Sequence, residues 1–98
     1  MEKGSCRFLL RYTTLRKITV PDTISRLPSG AFYRCPNLEV IVLPKTITGI
    51  GKGAIGLCEQ EITIYFDGTV KEWQNILKAS NWDVETACYV SCTDGKAD

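Results

Sequence analysis

Five cysteines and no histidine set the chemistry this chain can attempt. Without an imidazole, nucleophiles activated in the Ser-His or Cys-His manner are excluded. A Ser-Lys dyad is open to the composition, but nothing in the sequence marks one. Cys88 and Cys92 have a spacing unlike a zinc knuckle, with no second pair to complete four ligands. The stretch GIGKGAIG, residues 49–56, invites a phosphate-loop reading, but Lys52 sits among glycines with no Ser or Thr after it. Asp67, Asp83, Glu85 and Asp94 fall near expected turns without the spacing of a calcium loop. The expectation is therefore no catalytic centre, no metal and no cofactor. An odd cysteine count, Cys6, Cys35, Cys58, Cys88 and Cys92, reads most simply as thiols in a reducing compartment.

The elements that would position a binding surface come from a repeat. The chain has 98 residues, enough for one domain, with 44% hydrophobic and 23% charged residues. Shifting it by 23 residues makes eight of 23 positions coincide between 15–37 and 38–60. Leu15 falls on Leu38, Ile18 on Ile41, Pro21 on Pro44, Thr23 on Thr46, Ile24 on Ile47, Gly30 on Gly53, Ala31 on Ala54 and Cys35 on Cys58. A fixed period of this length predicts a solenoid, in which each coil buries its apolar face on the next. LRKITVP and LEVIVLP read as short β-branched strands ended by proline, which cannot donate to a ladder. DTISRLP and KTITGIG read as an irregular return with apolar residues three apart. AFYRC and AIGLC read as a short helical turn. Ile64 and Phe66 continue the register of Ile41 and Leu43 in a third strand, where Glu61 and Asp67 replace leucine and proline.

This pattern resembles the BspA-like leucine-rich repeat, in a short stand-alone form. Leu38, Ile41, Leu43, Pro44, Ile47, Ile50, Gly51, Ala54 and Cys58 carry the resemblance, with their partners one period before, over roughly residues 8–66. It implies an α/β leucine-rich repeat solenoid with a curved parallel sheet on its concave side. Family members of this kind include many surface or secreted proteins implicated in adhesion and host contact. The tail from ITIYFDG onward is similar to the segment that often ends such proteins.

The expected organisation is one domain over 1–98. Residues 1–14 form an N-terminal cap or partial repeat, 15–37 and 38–60 two full repeats, and 61–68 a terminal strand. Residues 69–98 form a helical cap and short strand. In the cap, Thr69 and Glu72 make a capping box, and Trp73, Ile76 and Leu77 share one face of an amphipathic helix. ACYVSC reads as a last strand.

Function is expected on the sheet. Side chains alternate along a strand, so if Ile18, Ile41 and Ile64 point inward, Lys17, Thr19, Val40, Val42, Thr63 and Tyr65 point out. Arg16 and Glu39 stand at the margin of that face. Val40, Val42 and Tyr65 are apolar for a wetted surface, and an apolar patch rimmed by polar groups marks an interaction site. The expected function is a non-catalytic protein–protein interaction module. The alternatives are a small intracellular inhibitor of the phage or mobile-element type, a fragment of an adhesin-like repeat protein, and an enzyme of unrecognised type.

Charge bears on partners. Residues 1–54 hold nine Lys/Arg and three Asp/Glu, whereas 55–98 hold three and eight, for a net charge of +1. Such opposed ends suit head-to-tail self-association, so a homo-oligomer is a further possibility. Arg7, Arg11, Arg16, Lys17, Arg26 and Arg34 could form a basic patch at one end, but no nucleic-acid reader motif accompanies them, so nucleic acid is not the expected partner. No apolar run approaches the roughly 18–20 residues of a membrane helix. Phe8–Leu10 is too short for a secretory core of about 7–15 residues. The chain reads as cytoplasmic, or extracellular if a signal was removed, and as bacterial or phage in origin.

Overall fold

The computed structural model describes residues 16–33, 35, 37–56 and 58–97. The expected N-terminal cap at 1–14 lies outside them, as do Arg7, Arg11 and Arg34 of the basic cluster. The 23-residue period becomes parallel strand pairing. Strands β1 (Lys17–Thr19), β3 (Val40–Leu43) and β5 (Ile62–Phe66) lie side by side, with Ile18 beside Ile41 and Ile41 beside Ile64. Their inward side chains make the core: Ile41, Leu43, Ile62 and Ile64 are fully buried. Burial of each such side chain stabilises by roughly 1.5–3 kcal/mol.

The return segments are more regular than expected. Arg26–Leu27 forms β2 and Gly49–Ile50 forms β4, and these pair in parallel as a second sheet. Leu27 and Ile50 send their side chains into the same core. The AFYRC and AIGLC stretches are turns and bends, not helix, in the described residues. They still bury Ala31, Phe32, Ala54 and Ile55 completely. Gly30 and Gly53, one period apart, have φ of 71° and 61°, the left-handed region that glycine enters without strain.

The C-terminal segment differs most from its sequence reading. The amphipathic helix expected there is a single helix, α1, of only five residues (Val70–Gln74). Its capping box is present: Glu72 N donates to Thr69 Oγ1 at 3.1 Å, and Thr69 N donates to Glu72 Oε1 at 2.9 Å. The chain then leaves the helix to form β6 (Leu77–Lys78), where Leu77 N donates to Thr48 O and Ala79 N to Ile50 O. The exposed edge of β4 offers acceptors that a short, intrinsically marginal helix cannot match. Leu77, placed by helical spacing on the core face, is 79% exposed, while Ile76 beside it is buried.

A third coil results. Strand β7 (Cys88–Cys92) pairs in parallel with β5, Thr63 lying beside Tyr89. The spacing stretches from 23 residues between Gly49's partner Arg26 and Gly49 to 28 between Gly49 and Leu77. The five extra residues equal the length of α1. Strand β8 (Gly95–Ala97) folds back antiparallel on β7 and completes the order β1-β3-β5-β7-β8. Phe66, Trp73 and Trp82 close this end of the core with edge-on ring contacts, at centroid distances of 5.6 Å and 5.8 Å. Among the described residues no helix is long and apolar enough to cross a membrane.

Candidate protein-binding face

Strand alternation sets out two rows of side chains on the outward face of the five-stranded sheet. Register places Lys17, Val40, Thr63 and Tyr89 in one row, and Thr19, Val42, Tyr65 and Ser91 in the other. All six outward residues read from the sequence therefore lie together, with Arg16 and Glu39 both exposed at the N-terminal ends of β1 and β3. Tyr65 and Tyr89 are 49% and 51% exposed, and Val40, Val42 and Thr63 are half-buried.

Tyr89, Ser91 and Lys96 extend the face but were not assigned to it from sequence. Lys96 stands opposite Ser91 on β8. The signal was available in CYVSC, which alternates as ITIYF does, but its spacing of 26 from the previous strand breaks the period.

Three hollows follow this face. One of about 440 Å³ lies at the N-terminal margin, lined by Glu39, Val40, Glu59, Glu61 and Thr63. One of about 260 Å³ lies over Thr63, Tyr65, Tyr89 and Ser91. A groove of about 520 Å³ runs along the C-terminal strand ends, between Asp22, Val42, Pro44, Tyr65 and Asp67.

Cys92 contributes to the lining of the C-terminal groove, but neither it nor Cys88 is poised for attack. Burial, with Asp83 and Cys58 nearby, pushes the Cys88 thiol up to about 12. Burial and Asp94 raise that of Cys92. A thiol held protonated is a poor nucleophile. Cys58, Cys88 and Cys92 are thiols, but Cys35 is disulfide-bonded to a partner outside the described residues, which corrects the expectation of reduced cysteines throughout. Cys58 Sγ donates to Phe32 O at 3.3 Å. Desolvation lowers the ammonium pKa of Lys78, although its Nζ donates to Trp73 O and Ile76 O and sits 4.8 Å from the Trp73 ring centroid. Among the described residues no three His, Cys, Asp or Glu side chains converge to hold a metal ion.

The family model for the BspA type leucine rich repeat region (6 copies) matches residues 6–82. No curated protein and no solved structure gave a match.

Proposed function

The chain belongs to the BspA-type leucine-rich repeat family, and from that premise we propose that it is a non-catalytic module that binds a protein through the outward face of its five-stranded sheet. One observation carries the reading. Val40, Val42, Tyr65 and Tyr89 present apolar and aromatic surface on four-residue and five-residue strands whose opposite face is sealed core. Apolar outward side chains on a sheet are costly to leave in water and repay being covered. Rigid tyrosines suit a contact surface because they bring large area at small entropic cost. The strands are held from behind by fully buried isoleucines and leucines, so the face is preorganised.

The test is affinity capture with the full chain, comparing wild type with Val42→Thr/Tyr65→Ala. Val42→Thr keeps the β-branched shape, and both side chains point away from the core. The expected outcome is a partner retained by wild type and lost by the variant, with the two melting alike. Equal capture by both proteins would move the binding surface off the sheet.

A further inference from the structure

The three hollows are one continuous band. Thr63 is shared by the N-terminal and middle hollows, and Tyr65 and Ser91 by the middle hollow and the C-terminal groove. The band's charges are lopsided. Glu39, Glu59 and Glu61 line one margin, Asp22 and Asp67 the other, and among the described residues Lys96 is the single cationic side chain that lines the hollows. All five carboxylate residues are exposed. Between the margins Val42, Tyr65 and Tyr89 supply apolar and aromatic surface, interspersed with the hydroxyls of Thr19, Thr63 and Ser91.

We propose that this band binds an extended peptide segment carrying an apolar or aromatic centre and a Lys or Arg toward each end. The proposal rests on the sheet face being the binding surface, and it adds the chemistry of the occupant. Glu61 immediately precedes β5 and Asp67 immediately follows it. The six residue steps from Glu61 to Asp67 span about 20 Å of extended chain. An extended peptide covers that span in about six residues. Its basic side chains then reach the two acidic margins while its centre packs on Val42 and Tyr65. Guanidinium or ammonium groups near the exposed Tyr65 and Tyr89 rings gain a cation–π contribution as well. With Arg16 and Lys17 counted beside Lys96, five carboxylates still outnumber three cations on this face, a balance that disfavours an anionic partner, whether nucleic acid, acidic peptide or anionic lipid surface.

Rim charges of this kind act on encounter rate and specificity, and salt screens them. The experiment is fluorescence anisotropy of the full chain with labelled synthetic octapeptides. The lysine probe has lysine at its second and seventh positions, valine and phenylalanine at its centre, and serine elsewhere. The control probe replaces both lysines by glutamate. The lysine probe is expected to bind at least about tenfold more tightly than the control at about 0.05 M salt, a preference that shrinks toward about 0.5 M. The variant Glu61→Gln/Asp67→Asn, altered only at exposed positions, is expected to reduce the preference. Equal binding of the two probes, or no lysine-probe binding up to about 1 mM, overturns the proposal.

The two readings fail separately. If affinity capture loses its partner on Val42→Thr/Tyr65→Ala yet the lysine probe shows no preference, the face stands and the cationic occupant is wrong. If the lysine probe binds wild type and Val42→Thr/Tyr65→Ala equally, the peptide sits elsewhere and this proposal falls.

Discussion

Gly51 presses against the main chain of Ser29 in the coil before it, so that a Cβ at residue 51 would stand 2.8 Å from the Ser29 amide nitrogen. Gly51 N also donates to Leu27 O at 2.9 Å, which fixes the two coils at that separation. The glycine of GIGKGAIG is thus a packing residue between coils. Gly51→Ala is expected to destabilise by about 1–3 kcal/mol through overpacking against backbone that cannot yield. Urea denaturation checks it, beside Lys52→Ala, which changes an exposed neighbour and is expected to stay within about 0.5 kcal/mol of wild type.

The capping box should show itself as coupling. Thr69→Ala removes the acceptor for Glu72 N and is expected to cost about 1 kcal/mol. Because Glu72 reaches back to Thr69 N, the double variant Thr69→Ala/Glu72→Ala is expected to cost less than the sum of the two singles. Asp94, whose Oδ1 accepts from Val70 N at 2.9 Å, ties the same helix start to the turn before β8. Additive costs in thermal denaturation would show that the reciprocal pair contributes nothing beyond its separate bonds.

Closure of the C-terminal end rests on Trp73, 5% exposed between Phe66 and Trp82. Trp73→Ala is expected to cost about 3–5 kcal/mol. A fragment ending at residue 68 goes further, stripping β6 from β4 and β7 from β5 and baring two strand edges. That fragment is expected to aggregate, because an unpaired edge beside exposed core templates association. Light scattering and a melting curve decide it. A monomeric fragment with a cooperative melt would show that two coils suffice.

Alkaline pH should weaken the fold through Cys88. Its native thiol is pushed up to about 12 from 9.0, mainly by burial. Between those values the unfolded chain has given up the proton while the native chain keeps it. The native state then binds more protons, so stability is complete below about 9 and declines as pH rises toward 12. Cys88→Ala is expected to flatten that decline in urea midpoints. Lys78, lowered by desolvation, contributes the opposite slope, but it is common to both proteins and cancels in the comparison. Alkylation should likewise be slow at Cys88 at neutral pH.

Sequence by itself determined the pairing of the first coils and the two faces of the sheet. Residues one period apart, such as Ile18 and Ile41 or Thr19 and Val42, became neighbours in register. Alternation then fixed which side chains face out, and Val42 and Tyr65 came together as expected. Those relations are legible because the repeat writes each one twice. The third coil was not legible, since its strands sit 28 and 26 residues after their partners and no earlier copy shares that spacing. Helical periodicity in EWQNIL argued for a long helix that would bury Leu77. The tertiary structure decided otherwise, because β4 had unpaired backbone acceptors and a segment that satisfies them is worth more than two further turns of a short helix. Only the folded coils bring Glu39, Glu59 and Glu61 to one margin and Asp22 and Asp67 to the other. Within each margin, apart from Glu59 and Glu61, which both lead into β5, these residues come from separate coils and are not equivalent positions of the repeat. Their meeting depends on how many residues each coil spends in turning, which local preference does not set.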